Sequence, residues 1–223
     1  MGKRMPQLFP PRSNIISRIS ILGVLILLAV VTGGLVWYTH SSALTKVGVA
    51  IPQPVPYPHN LHVAVLGLNC RYCHTGVDQS SFADLPPAET CMSCHSQVAT
   101  NSPDLQLIRD SYANGTPIQW NRVNNLPDYV YFNHQIHIDK GVGCETCHGR
   151  MDQVTTAVRA KYFYMDTCTE CHNNPAKYVR PQANIYDMGY KPSEPQSVLG
   201  PKLVKQYNIM SPTQLTNCSI CHR

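Results

Sequence analysis

Residues 134–148 read His134-Gln135-Ile136-His137-Ile138-Asp139-Lys140-Gly141-Val142-Gly143-Cys144-Glu145-Thr146-Cys147-His148. The last five form Cys-x-x-Cys-His, the spacing of covalent c-type haem attachment. Two thiols bond the porphyrin vinyl groups, and the adjacent histidine takes one axial position on the iron. On a helical turn, residues three and four apart share a face, so both anchors and the ligand meet one macrocycle. Four more copies follow the same rule: Cys70, Cys73 and His74; Cys91, Cys94 and His95; Cys168, Cys171 and His172; Cys218, Cys221 and His222. Together the five copies use all 10 cysteines.

Pairs of Cys-x-x-Cys also build four-cysteine zinc sites, and cysteine-rich secreted chains build disulfide frameworks. Neither needs a histidine at one fixed offset in every copy. The expectation is therefore five haem c groups, with His74, His95, His148, His172 and His222 as proximal ligands.

Composition agrees with a body wrapped on cofactors. The chain has 223 residues, 14% of them charged, with 18 prolines and 4 phenylalanines. That is little material for a large aliphatic core, and macrocycles would fill much of the interior. The formal charge of +5 is no sign of nucleic-acid binding, because five haems add about ten propionates.

Residues 19–38, from Ile19 to Tyr38, form an uncharged, mostly apolar run of 20 residues. At about 1.5 Å per residue this spans roughly 30 Å, one hydrocarbon core. Lys3, Arg4, Arg12 and Arg18 precede it without any acidic residue. The positive-inside rule then places residues 1–18 in the cytoplasm and Trp37 and Tyr38 at the far interface. Ser41-Ser42-Ala43 resembles a signal-peptide cleavage site, but the run exceeds the usual apolar stretch of about 7–15 residues in such peptides. A retained single-pass helix in a bacterial cytoplasmic membrane is expected, with everything after it on the periplasmic side, where cytochrome c maturation takes place.

Residues 39–58, with prolines at 52, 54, 56 and 58, read as an extended linker holding the body a short way off the membrane, or as a strap against a partner subunit. Residues 59–223 are the pentahaem domain and contain an internal repeat. His59-x-x-His62 precedes the first motif by seven residues, and His134-x-x-His137 precedes the third by six. A second motif follows in each copy, giving repeats at 59–95 and 134–172, with a fifth haem at 211–223. The fold expected is a mostly irregular, short α-helical multihaem cytochrome c body: two dihaem modules plus one haem, and one transmembrane helix. Helices are expected from Ser102-Pro103 to Asn114-Gly115, from Ser211-Pro212 into Cys218, and over Asp152–Phe163.

The recurring pairs supply distal ligands. His59, His62, His134 and His137 are assigned to four irons, imidazole being a common haem ligand. Residues three apart do not easily reach one iron together, so each pair serves two haems and holds them close. The fifth distal ligand stays open among Met165, Met151, Met210 and His40, with the first two preferred; a thioether would raise that haem's potential. Arg71, Arg122, Arg150 and Arg159 are candidates for propionate contacts or plain surface arginines.

Trp120-Asn121-Arg122-Val123, Leu126 to His134, Cys144 to Gly149 and Met165 to His172 resemble the multihaem subunit of alternative complex III, a membrane quinol oxidoreductase. Its pentahaem cytochrome has one N-terminal membrane helix and five attachment motifs. The family pattern Met-Gly-Trp-Cys is Met165-Asp166-Thr167-Cys168 here. The resemblance implies an iron–sulfur subunit, integral quinol-binding subunits, a monohaem cytochrome and a soluble electron carrier as partners.

No nucleophile–base pair or phosphate loop stands out, so no catalytic residue is assigned. Haems with both axial positions filled favour electron transfer over substrate conversion. The reading is a relay subunit carrying electrons from quinol-oxidising and iron–sulfur partners to a periplasmic carrier. The alternatives are a self-sufficient membrane-anchored multihaem quinol dehydrogenase and a multihaem reductase.

Overall fold

The computed structural model describes residues 9, 10 and 12–222; Lys3 and Arg4 lie outside them. The chain divides into two units, residues 1–46 and 47–223.

The first unit is dominated by α1, Ser13–His40, 28 residues with none buried. It covers the expected apolar run and is long and apolar enough to cross a membrane. A two-sided apolar surface without core contacts is what a lipid-facing helix presents. The His40 Nδ1–H donates to Val36 O at 2.9 Å in its last turn. A single turn, α2 (Ser42–Thr45), follows and ends at Lys46 in the left-handed region, φ 58°.

The second unit is built from short helices: α3 (Cys70–Cys73), α4 (Ala88–His95), α5 (Gln106–Asn114), α6 (His134–Asp139), α7 (Glu145–His148), α8 (Met165–Asn173), α9 (Gln196–Gln206), α10 (Pro212–Leu215) and α11 (Cys218–Cys221). A π-helical turn covers Asn60–Val65. Among the described residues there is no strand, only isolated bridges such as Val47 with Arg159 and Ala50 with Val158. Each haem motif is one helical turn or the end of one. Asn side chains open several: Asn69 accepts from Arg71 N at 3.0 Å, Asn133 from Ile136 N at 3.2 Å, and Asn217 from Ser219 N at 3.0 Å. Asn suits this position because its short carbonyl satisfies an amide that the first turn leaves unpaired.

The helix expected from Ser102 is present as a 3-10 turn, Pro103–Leu105, running into α5. It stops at Gly115, φ 64°, a conformation glycine adopts without strain. The segment expected after Ser211-Pro212 breaks at Thr216-Asn217, so α10 and α11 are separate turns. The helix expected over Asp152–Phe163 is not formed. A 3-10 turn ends at Gln153, and the chain then extends to bridge residues 47 and 50. Val154, Thr155, Thr156 and Val158 are β-branched and stiff at χ1, which favours extended chain.

Buried apolar side chains form three small clusters around Val55, Ala88 and Ile108; Val77, Ile138 and Ile185; and Val179, Leu199 and Leu203. Cys91 packs on the first and Cys144 on the second. The proline-rich stretch enters this packing. Val55 is 1% exposed, and Gln53 donates to Asn121 O at 2.9 Å. Residues 47–58 are thus laid along the body as a strap, because Val55 gains more from burial than from staying in water.

Candidate haem-binding site

None of the ten cysteines is paired in a disulfide, and each is half-buried or exposed. Cys70 and Cys144, of motifs one and three, lie near one another. Among the described residues no three His, Cys, Asp or Glu side chains converge as a metal cluster, which a tetrahedral zinc site would need.

Six of the ten histidines meet in twos. His62 and His95 have ring centres 6.3 Å apart, His134 and His148 6.5 Å apart, and His137 and His172 6.3 Å apart. Two imidazoles on opposite sides of one metal, each bonded at about 2 Å, place ring centres roughly 6 Å apart. The residues present therefore fit a haem iron between each pair. His59 has His74 and His62 for charged neighbours: burial first, then the His74 charge and then His62, pushes it down to about 4. Burial, followed by His134, His74 and His59, does the same to His148, to about 4. Both rings are neutral at ordinary pH, as a ligand must be.

The second ring nitrogen is nearly always occupied. Nδ1–H donates to Pro58 O from His62 at 3.0 Å, to Asp84 O from His74 at 2.7 Å and to Val98 O from His95 at 3.1 Å. It donates to Ser81 O from His134 at 3.0 Å, to Asn133 O from His137 at 2.7 Å, to Leu215 O from His172 at 2.9 Å and to Tyr129 O from His222 at 3.1 Å. A carbonyl only accepts, so Nδ1 carries the proton and Nε2 keeps its lone pair. That tautomer is the metal-binding one, and the outer hydrogen bond fixes the ring and raises its basicity. At His148 the neighbour is the Asn124 amide, 3.3 Å away, whose Oδ1 is buried without a partner. Turning this amide by half a rotation lets Nδ1–H donate to Oδ1 and satisfies both groups. His59 Nδ1 is buried with no hydrogen-bond partner.

The third motif is set by Arg180, 6% exposed. Its Nη2 lies 3.2 Å from Glu145 Oε1, Nη1 donates to Asp187 O at 3.1 Å, and Glu145 Oε2 accepts from Gly189 N. A Cβ at Gly143 would stand 2.3 Å from the Arg180 guanidinium, so glycine is required just before Cys144.

For the fifth motif the ring beside His222 is that of Tyr129, 5.8 Å away. Met165 opens α8 with 65% exposure and Met210 is 45% exposed; Met151 opens a half-buried 3-10 turn. His40 belongs to the first unit. The arginines considered for propionates hold protein partners. Arg71 reaches Asp78, Arg122 reaches Asn125, Arg150 reaches Asp152, and Arg159 donates to Val123 O.

Sequence reasoning passed over two aromatic residues. Tyr57 stacks on His62, centres 4.4 Å apart at 22°, and meets His59 edge-on at 4.7 Å. Phe132 stacks on His137 at 4.5 Å and 27° and meets His134 edge-on at 4.8 Å. The signal was present: an aromatic stands two residues before each His-x-x-His.

Fold and site define the class, a multihaem c-type cytochrome for electron transport, holding covalently bound haem c. Residues 130–223 match the family described as cytochrome c7 and related cytochrome c. The menaquinone reductase multihaem cytochrome c subunit of Nitratidesulfovibrio vulgaris (strain Hildenborough) is 26% identical over 176 residues, covering 77% of each chain.

Proposed function

We propose that this chain is the pentahaem relay subunit of a membrane quinone oxidoreductase, anchored by α1 with its N-terminus in the cytoplasm and residues 47–223 on the periplasmic side. The observation that carries the relay is the set of facing imidazoles, each pair about one metal-width apart, with Nδ1 already engaged. When bound, haem supplies reversible one-electron exchange at its iron. The ten cysteines would hold the porphyrins, the five motif histidines would be the proximal ligands, and His59, His62, His134 and His137 would be four of the distal ones. Met165 and Met151 stand ahead of Met210 and His40 for the last.

Neighbouring motifs give these sites an order. Tyr72 OH and Ser93 Oγ, 2.7 Å apart, join motifs one and two. Ser81 O, just past motif one, takes the His134 Nδ1–H, and Cys144 packs against Val77 and Ile138, joining one and three. His134 and His137 share one turn of α6, joining three and four. The His172 bond to Leu215 O joins four to the segment entering five. The sites therefore run two, one, three, four, five. The two dihaem modules meet through their first motifs, and motifs two and five are the ends at which partners exchange electrons.

The quinone link is supported by the similarity to a menaquinone reductase subunit and by the resemblance to the alternative complex III cytochrome. The latter implies flow from quinol, through iron–sulfur and integral quinol-binding partners, to a monohaem cytochrome and a soluble carrier. The former favours a second reading, in which the same relay delivers electrons to menaquinone. Midpoint potentials at motifs two and five discriminate, since about 59 mV is tenfold in equilibrium constant for one electron. Extraction in mild detergent tests the subunit reading. Co-purification with integral and iron–sulfur proteins supports it, whereas a lone chain rapidly reduced by added quinol makes it a self-sufficient quinol dehydrogenase.

A further inference from the structure

We infer that Tyr57 and Phe132 are positioning residues that set the plane of the paired distal imidazoles, and with it the electronic state of the haems those rings serve. The inference rests on the reading that His59, His62, His134 and His137 are axial ligands.

The two residues occupy one structural position twice. Each stands two residues before a His-x-x-His, stacks face to face on the second histidine and presents its edge to the first. An offset stack and an edge contact are the two geometries that aromatic rings favour, and one side chain here makes both at once. A ring so held cannot rotate about its Cβ–Cγ bond without losing the stack. His62 and His137 thereby have two restraints, the aromatic face and the Nδ1 bond to a carbonyl. His134 also has two, Phe132 and Ser81 O. His59 has no Nδ1 partner, so the edge of Tyr57 is the restraint observed on its ring.

The consequence is visible in how the facing rings are turned. His62 and His95 are crossed, with an interplanar angle of 63°. His134 and His148 are nearly parallel at 6°, and His137 and His172 lie at 24°. The splitting of the iron d orbitals depends on the relative planes of the two axial imidazoles. In the ferric state, crossed planes give a low-spin signal at large g, and parallel planes give an ordinary rhombic one. Tyr57 is thus tied to a crossed pair and Phe132 to two near-parallel pairs.

The test is low-temperature electron paramagnetic resonance of the oxidised full-length holoprotein, with intact mass as the control for haem content. The variants are Tyr57→Leu, Tyr57→Phe, Phe132→Leu and Phe132→Tyr. Tyr57→Leu is expected to shift the large-g signal and leave the rhombic signals of the Phe132 pairs in place. Phe132→Leu is expected to do the reverse. Tyr57→Phe and Phe132→Tyr keep the stack and the parent spectrum. Fully haem-loaded Leu variants with unchanged spectra would overturn the proposal, as would Leu variants that disturb every signal alike. Should Tyr57→Leu not mature, the Phe variant decides: parent signals with full haem support the stack, and failure of both assigns Tyr57 a folding role instead. If the unsubstituted protein lacks both kinds of bis-imidazole signal, the ligand reading itself fails.

Discussion

His137 gathers on one side chain most of what makes a haem ligand here. Its ring is half-buried, and that desolvation pushes its pKa below the usual imidazole value. Nδ1–H is spent on Asn133 O at 2.7 Å, one face lies on Phe132, and His172 stands 6.3 Å away. Replacing it by the thioether of methionine (H137M) keeps a ligand but weakens donation to the iron. The expected outcome in a redox titration is one haem raised by more than about 59 mV, more than tenfold in its equilibrium constant. Arg180 is the other telling residue, because it is buried with its charge answered by Glu145. Removing one partner of a buried ion pair strands the other; Arg180→Met should cost about 3 kcal/mol in denaturant unfolding. The spacing of Cys-x-x-Cys-His is local, so the five motifs can be read directly from the sequence. The role of Arg180 was not, because nothing in the run Val179-Arg180-Pro181 foretells a contact with Glu145, 35 residues earlier.

At the scale of elements, helices end where a cap or a glycine ends them and rarely reach three turns. Ser102-Pro103 and Gly115 bounded a helix correctly because start and stop signals are chemical and local. Asp152–Phe163 misled because apolar residues at helical spacing also suit an extended segment with β-branched residues. Its bridges to Val47 and Ala50 are long-range and leave no local mark. The strap at 47–58 was obscured for a similar reason: alternating prolines specify extended chain, while burial of a single valine, Val55, decides where that chain lies. The α6 turn depends on its cap. Asn133→Ala removes the side-chain acceptor for Ile136 N and should cost about 1 kcal/mol. The turn carries His134 and His137, the two proposed distal ligands, so the holoprotein should also lose low-spin character on mild heating before the unsubstituted protein does, read by visible absorption.

At the scale of the whole molecule, the three small apolar clusters among the described residues are little core for the body, which fits macrocycles as its main filling. Composition had pointed the same way. The proposed order of the sites could not be read from the sequence, because it depends on which loop takes which Nδ1–H. The first unit makes a separable claim. With α1 replaced by a cleavable secretory signal, the body is expected to mature with its full haem content and to appear in the soluble periplasmic fraction. Retention of that body in washed membranes would mean that partners or the body's own surface hold it there.

The decisive measurement is the intact mass of the purified chain under denaturing conditions, set against the mass of the polypeptide alone. Thioether bonds survive denaturation, whereas zinc and axial bonds do not. The account requires an increment of five haems. An unmodified mass, or a stable product with fewer than five, would contradict it.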